Sequence, residues 1–464
     1  MTPKSHYDIV VIGSGQSGDP LARAFAKAGH SVALIERAHV GGTCANTGCT
    51  PTKTMIASAR VAYLARRAAD FGVQFDGPVT VDFGKVRERK RAIVADFRGG
   101  TEKALAQQDN LDLIYGSARF VSPTEIIVKM NDGQELSITG TKFFLNTGAH
   151  DIVPSLPGLG SVPFLDHAKI EELGSVPEHL LILGGGYIAL EFAQMFRRFG
   201  SRVSIVEQSA RLLAHEDEDV SQEMERILRE DGIEIRTNAK ALEAAQSGPD
   251  IQLTVQTAEG ETKTLIGSHL LVAVGRTPST QGLGLDKASV ATDDKGSIQT
   301  NSKLETNIPH IWAMGDVKGG PAFTHISYDD YRIIEANLIH NGQRTTEDRP
   351  VPYTVFTDPQ LGRVGMTEQQ AKDKSLNYAV AKIPMTEVAR TLETDETRGF
   401  IKAIVDKDSG QILGGAMFCL DGGEVMSVLE TAMLGKLPYT TLRDGVFAHP
   451  TLSESLNNLF MSLD

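Results

Sequence analysis

Cysteine is nearly missing from this chain: three residues in 464. So few thiols cannot build a disulfide framework for a protein of this length. Long apolar runs are missing as well. No stretch reaches the roughly 18 uninterrupted apolar residues of a membrane helix. The first apolar run, YDIVVIG after MTPKSH, is broken by glycine too soon to be a signal-peptide core. Positive charge is in deficit, with 46 Lys and Arg against 59 Asp and Glu, a net of −13. Counterion release on nucleic acid therefore offers this chain nothing. The expectation is a cytoplasmic globular protein with neither membrane nor nucleic-acid partner. A hydrophobic content of 41% is enough for sizeable cores, and the length suggests about three domains.

Two of the three cysteines nevertheless stand together, Cys44 and Cys49 in GGTCANTGCTPTK at 41–53. A metal site, a structural staple and a disulfide that opens and closes in a reaction are the three readings. A reducing compartment argues against a permanent staple. Structural zinc takes four ligands; His39, five residues before Cys44, is the one further candidate near in sequence, so a distant histidine would have to complete a site. Reversible redox use leads, with metal binding second. In a regular helix five residues rise about 7.5 Å, whereas a disulfide wants Cα atoms about 4.4–6.8 Å apart. The pair therefore demands a break in the helix. Gly48 lets the backbone distort, and Pro51 suits the first turn of a following helix. A cysteine at such a helix start can hold a thiolate.

The first forty residues read as strand, glycine turn, helix, strand. Gly13, Gly15 and Gly18 follow YDIVVI, DPLARAFAKAGH reads as a helix, and SVALIE ends at Glu36. That is a dinucleotide fingerprint in its required setting. The glycines admit a pyrophosphate to the backbone, the helix N-terminus supplies N–H donors, and the acid meets a ribose. The pattern returns in HLLILGGGYIALEFAQMFRRFGSRVSIVE, with Gly184, Gly186, Tyr187 and Ile188 at the turn and Glu207 at the end. Gly13 to Glu36 spans 23 positions, and so does Gly184 to Glu207. Two such units imply two dinucleotides, and an enzyme holding two passes electrons between them: one flavin, one nicotinamide.

Between the units, LDLIYGSARFV, EIIVKM, ELSITG and KFFLNTG read as short strands, with a turn at Asn131-Asp132-Gly133. IQLTVQTAEGETKTLIGSHLLVAVG repeats that style. Beyond 345, PYTVFT, YAVAKIPM, GFIKAIVD and ILGGAMFC read as strands, and DGGEVMSVLETAML and TLSESLNNLF as helices: an α+β domain without a nucleotide signature. The fold class is thus α/β, two Rossmann-like domains plus an α+β C-terminal domain.

These motifs in this order resemble the pyridine-nucleotide disulfide oxidoreductases, the flavoprotein family of dihydrolipoamide dehydrogenase, glutathione reductase and mercuric reductase. The resemblance covers nearly the whole chain. It rests on the two glycine turns, GGTCxNxGCxPxK, TG at 147–148, GRTP at 275–278, AMGD at 313–316, VFTDPQLGRVGMTE at 355–368 and HPTLSE at 449–454. It implies a discontinuous FAD domain (1–150 and 275–344), a nicotinamide domain (151–274) and a dimerisation domain (345–464). For FAD it implies contacts from Gly13, Gly15, Gly18, Glu36, Gly42, Thr43, Lys53, Thr147, Gly148 and, at the ribitol, Asp316. For the nicotinamide nucleotide it implies Gly184, Gly186, Tyr187 as a gate, Ile188, Glu191, Glu207 and Gly275.

The same resemblance assigns the chemistry. Cys49 is the flavin-facing charge-transfer thiolate, and Cys44 exchanges with substrate. Lys53 and Glu191 pair near the reactive flavin nitrogen. His449 and Glu454 act as acid–base pair on the partner subunit's cysteines, which makes the protein a homodimer. Thr451–Glu454 also has the form of a helix capping box. No resident metal is expected.

Glu207 favours NADH, since a carboxylate repels a 2′-phosphate. Gln208 and Ala214 stand where NADPH-using relatives tend to carry arginine, while Arg202 and Arg211 keep NADPH as the alternative. For the substrate, Phe447, Thr47 and Thr50 depart from dihydrolipoamide dehydrogenase. GCTPTKTMIASAR and AHPTLSESLNNLF look closer to the mercuric-reductase-like branch and its copper-reducing relatives. The C-terminal cysteine pair of true mercuric reductases has no counterpart in the closing NLFMSLD, and Cys419 reads as a buried small hydrophobe. Three functions remain: a reductase of a lipoamide-like disulfide, a reductase of a soft metal ion through the same dithiol, and a slow redox-sensing flavoprotein. The intact acid–base residues argue against the last.

Overall fold

The computed structural model describes residues 4–463. Two compact units emerge. The first takes the described residues up to Met55 with Lys85–Ile152 and Gly275–Arg349; the second takes Ile56–Gly84, Val153–Val274 and the chain from Pro350 onward.

In the first unit, β1 (His6–Ile12), β2 (Val32–Glu36), β3 (Leu111–Ser122), β4 (Glu125–Met130) and β5 (Glu135–Leu145) form one sheet, joined by the strand Ile311–Ala313. β2 and β5 flank β1 in parallel, the arrangement of a doubly wound sheet. Helix α1 (Gly18–Lys27) crosses from β1 to β2 and buries Leu21, Ala22, Phe25 and Ala26, the i, i+1, i+4, i+5 stripe of an amphipathic helix. Phe25 meets Phe144, which stacks on Trp312 at 5.1 Å, closing one face of the sheet.

ELSITG and KFFLNTG, expected as two strands, are one continuous strand. β5 pairs with β4 over its first half and with β1 over its second. β3 does the same, passing from β2 to β4 at Gly116. Each long strand changes partner at a glycine. A Cβ at Gly140 would sit 2.7 Å from Val10 Cγ2 and 2.9 Å from Phe143 Cζ, and at Gly116 2.6 Å from the Lys129 carbonyl. Both glycines mark close approach within a strand; the sequence suggested a break at Gly140 and a continuous strand at Gly116.

The second unit holds a parallel sheet in the order His269–Val272, His179–Leu183, Arg202–Val206, Glu234–Arg236. Beside it lies an antiparallel meander, Lys240–Ser247, Asp250–Gln256 and Thr262–Gly267. Its C-terminal part is a five-stranded antiparallel sheet in the order Tyr353–Val355, Gln360–Gly365, Ile412–Cys419, Phe400–Asp406, Tyr378–Pro384. The helix Gly422–Leu434 buries Val425, Met426 and Leu429 in the core of this sheet. Gln360–Gly365 was not read as a strand: its two glycines and its arginine hide the alternation, because Arg363 is buried against Glu216. Cys419 is buried, and burial pushes its thiol up to about 12, as expected of a packing residue. Among the described residues no helix is long and apolar enough to cross a membrane.

Candidate active site

The first glycine turn is built around Asn146. Gly13 has φ +98, and a Cβ there would collide with the Asn146 carbonyl. The Asn146 Oδ1 accepts the Gly18 N–H at the start of α1 (3.0 Å), and its amide donates to Ser17 Oγ (2.7 Å) and to the Met314 carbonyl (3.0 Å). A Cβ on Gly15 would lie 2.8 Å from Asn146 Oδ1, and one on Gly42 (φ +61) 2.8 Å from Gly15 Cα. The outcome is a cradle of bare backbone at a helix N-terminus, which fits a dinucleotide pyrophosphate. Glu36 is buried at the end of β2. Its Oε2 accepts Ser14 N–H (3.1 Å) and Ser14 O–H (2.7 Å), and its Oε1 accepts Ala38 N–H (2.8 Å). Thr43 is exposed beside Gly42.

The chain runs from Gly41 into two helices broken between the cysteines. Helix α2 (Gly42–Asn46) carries Cys44; Thr47 and Gly48 interrupt; α3 (Cys49–Arg66) opens on Cys49, with Pro51 in its first turn. Asn46 fastens α2: its amide donates to the Val40 and Gly42 carbonyls, both at 2.9 Å, and its Oδ1 accepts from Arg98 Nε at 2.8 Å. Both cysteines are free thiols, Cys49 the more exposed. The two differ sharply in acidity. Cys49 is pushed down to about 6, first by a hydrogen bond from Cys44, then against burial by the Thr324 hydroxyl at 3.2 Å and the Lys53 charge one turn along α3. Cys44 is pushed up, first by donating that bond and then by burial. The helix start adds its own positive field at Cys49. In the dithiol the negative charge is therefore favoured on Cys49 and the proton on Cys44.

Elsewhere in this unit, Thr147 Oγ1 donates to the Ser279 carbonyl (2.9 Å), and Gly148 sits at φ +69 with its carbonyl taking the Ser279 N–H (2.9 Å). Asp316 lies in a short 3-10 turn, Gly315–Lys318, rather than on a strand end. Burial raises its pKa, opposed by Arg276, whose Nη1 is 3.1 Å away. Arg276 is the arginine of GRTP, and Gly275 precedes it at φ +128.

In the second unit Gly184 (φ +118) repeats Gly13: a Cβ would collide with the Ala273 carbonyl. Gly186 is exposed and caps the helix Tyr187–Phe199, on whose first turn Tyr187 and Ile188 are half-buried. Glu191, buried on the same helix, accepts the Phe356 N–H at 2.9 Å. Glu207 falls one residue past its strand and accepts the Ser209 N–H at 2.6 Å.

His449 is exposed, with Nδ1 2.9 Å from Glu454 Oε2. Of the capping box only one half forms. Glu454 N–H donates to Thr451 Oγ1 at 3.2 Å, while its carboxylate turns to the histidine, and the helix Ser455–Met461 starts without a side-chain cap. The carboxylate fixes the tautomer with the proton on Nδ1 and leaves Nε2 for chemistry.

Asn146, Ser14, Thr324 and Arg276 escaped the sequence reading. All but Thr324 stood in or beside a motif: Ser14 inside the glycine turn, Asn146 directly before the TG pair, and Arg276 in GRTP. Among the described residues no cluster of three or more His, Cys, Asp or Glu could hold a metal.

Paired dinucleotide turns and a dithiol with one acidic member define a dinucleotide-linked dithiol oxidoreductase. The comparisons with known proteins specify it further. Residues 7–330 match the pyridine nucleotide-disulphide oxidoreductase family, and residues 351–460 match its dimerisation domain. The chain belongs to this FAD-dependent, pyridine-nucleotide-using family. It is 40% identical to the probable pyridine nucleotide-disulfide oxidoreductase RclA of Escherichia coli K12, over 98% of each chain. It is 32% identical to mercuric reductase of Streptomyces lividans, over 97% of this chain and 94% of that one. A solved Cu(II) complex of the HOCl-induced flavoprotein disulfide reductase RclA from Escherichia coli matches with a TM-score of 0.91 at 39% identity, covering 99% of this chain and 100% of the other.

Proposed function

We propose that this enzyme moves electrons from NADH through FAD to the Cys44–Cys49 couple and on to a small disulfide of the lipoamide type, as a homodimer. The observation that carries the reading is the dithiol itself, Cys44 on α2 and Cys49 at the start of α3, with the Thr324 hydroxyl 3.2 Å from Cys49 and Lys53 one turn on, an arrangement that favours the charge on Cys49. When bound, the nicotinamide supplies a hydride and the flavin hands the electron pair to the disulfide. Gly13, Gly15, Gly18, Glu36, Gly42, Thr43, Thr147, Gly148 and Asp316 hold FAD. Gly184, Gly186, Tyr187, Ile188, Glu207 and Gly275 hold the nicotinamide nucleotide. Cys49 faces the flavin, and Lys53 with Glu191 serves the reactive end.

The chain's own steps follow from its acidities. Cys44, held protonated by Cys49 and by burial, needs a base before it can attack, and His449 of the other protomer supplies it through Nε2 while Glu454 steadies the imidazolium. Cys44 attacks one substrate sulfur. The S–S bond breaks, and the leaving thiolate takes the proton from His449. Cys49 then attacks Cys44 in the mixed disulfide, the Cys44–Cys49 bond re-forms, and the second thiolate leaves and takes a proton from solvent. One disulfide gains two electrons and two protons.

NADH is preferred. Arg202 starts the strand that Glu207 follows, roughly 16 Å away at about 3.3 Å per residue, too far to meet a 2′-phosphate. Arg211 donates to the Ala214 carbonyl at 3.3 Å and keeps NADPH as the alternative.

The Cu(II) complex of the RclA relative favours a second reading, in which the dithiol reduces a soft metal ion. Closing one disulfide then releases two electrons, enough for two Cu(II). Steady-state oxidation of NADH by the purified protein against lipoamide, glutathione disulfide, Cu²⁺ and Hg²⁺ decides between the two. Turnover with a disulfide at least tenfold above either metal is expected; the reverse ranking replaces the first reading by the second.

A further inference from the structure

We propose that the second residue of each glycine turn, Ser14 in the first unit and Gly185 in the second, sets how firmly the ribose-facing glutamate is held. It thereby decides which unit retains its nucleotide and which exchanges it. The inference rests on the proposal that the first unit takes FAD and the second a nicotinamide nucleotide.

The two turns share their frame. The Ser14 carbonyl accepts the Gly41 N–H at 3.1 Å, and the Gly185 carbonyl accepts the Leu213 N–H at 3.0 Å. Glu36 Oε1 takes the N–H two residues on, from Ala38 at 2.8 Å; Glu207 Oε1 does likewise with Ser209 at 2.6 Å. The difference lies at the second oxygen. Ser14 is fully buried and gives Glu36 Oε2 both its N–H and its O–H, at 3.1 and 2.7 Å. Gly185 has no side chain, and the place of its Cβ is already taken. It would lie 2.8 Å from Glu207 Cγ, 2.9 Å from Glu207 Oε2 and 2.9 Å from Leu212 Cδ2. Glu207 thus leans into the space that a Ser14-like side chain would fill.

A carboxylate fixed by three donors before the ligand arrives loses little freedom on binding, and preorganisation of that kind shows chiefly as slow release. Glu207, held at one oxygen by a single donor among the described residues, must be ordered anew each time, which suits a cofactor that binds and leaves in every cycle.

Three variants of the full-length flavoprotein test this. Ser14→Gly removes atoms and introduces no clash; flavin recovered in the filtrate after ultrafiltration is expected to report an FAD Kd weakened on the order of tenfold. Gly185→Ala pushes Glu207 out of place; calorimetric titration with NAD⁺ is expected to show about tenfold weaker binding at unchanged flavin content. Glu207→Ala calibrates the site and is expected to weaken NAD⁺ at least as much. Loss of NAD⁺ affinity in Glu207→Ala but not in Gly185→Ala overturns the inference and leaves the site assignment standing. Unchanged affinity in both removes the assignment of Glu207 as well. Should Gly185→Ala fail to fold, Ser14→Gly still decides, since flavin retained as tightly as before overturns the proposal.

Discussion

The two glycine turns start alike and lead to different ends. After Glu36 the chain reaches Gly41, bonds back to the turn, and passes straight into α2 and α3 with Cys44 and Cys49. After Glu207 it reaches Leu213, bonds back in the same way, and runs into Glu216, Asp217 and Asp219. Those three carboxylates spend themselves on the C-terminal sheet and its surroundings. Glu216 takes Tyr353 and Arg363, Asp217 takes the Glu368 and Gln369 N–H groups, and Asp219 takes Lys382 and Lys402. One frame thus leads to the dithiol in the first unit and to anchorage in the second. The difference lies in the segment that follows the acid, outside the fingerprint.

The largest effects should come from the turns themselves. Gly13→Ala and Gly184→Ala each put a Cβ into a backbone carbonyl at positive φ. Strain of about 3 kcal/mol or more, near a hundredfold in affinity or rate, is expected at each. The outcomes should nevertheless part. Gly13→Ala should purify without flavin, whereas Gly184→Ala should keep its flavin colour and fail to be reduced by NADH. Absorbance before and after adding NADH separates them, and loss of flavin from Gly184→Ala would undo the assignment of nucleotides to units.

Of similar size is the anchorage. Arg363 and Glu216 are both almost fully buried, 2.7 Å apart. Arg363→Met leaves a buried carboxylate without its cation, at a cost of about 3–5 kcal/mol. Denaturant unfolding should show that loss. Because Glu216 N–H also bonds the Leu213 carbonyl next to Gly185, NAD⁺ affinity should fall while flavin content holds. A variant as stable as the parent would mean that water or a neighbouring cation compensates.

The thiols belong to the first unit alone, so replacing them should leave the second untouched. Cys44→Ser should keep a long-wavelength thiolate-to-flavin absorption and Cys49→Ser should lose it, with disulfide reduction abolished in both and NAD⁺ binding unchanged. An exchange of the two spectra would swap the roles assigned to Cys44 and Cys49.

What could be read in the sequence follows the same contrast. Both turns, both glutamates and the helix break at Gly48 were legible because each needs a particular residue at a fixed spacing: glycine where a Cβ has no room, an acid at a strand end, proline in a first turn. The supporting side chains were not. Asn146 lies 133 positions beyond Gly13, and Thr324 lies 275 beyond Cys49, so only the folded chain brings them together. The fusion of two expected strands into β5 was hidden because glycine reads as a break in sequence and acts as a crossing point in space. Glu454 was offered two roles by its sequence, partner of His449 and half of a capping box, and its carboxylate takes the first.

The smallest effect expected is at Thr324, and it bears on why the first unit holds a thiolate at all. Cys49 is pushed down to about 6, so in the reduced protein the thiolate prevails above that pH and is lost as the pH falls through it. Cys44 contributes most to the shift and the Thr324 hydroxyl contributes next among the stabilising partners, ahead of Lys53. Thr324→Val keeps the shape and removes the donor. One hydrogen bond to a charged sulfur, set against partial replacement by water, amounts to about one pH unit. The midpoint for alkylation of Cys49 by iodoacetamide, followed by peptide-resolved mass spectrometry, should therefore rise toward 7. A midpoint that stays put would mean that Cys44, Lys53 and the start of α3 suffice, and that the hydroxyl only fills space.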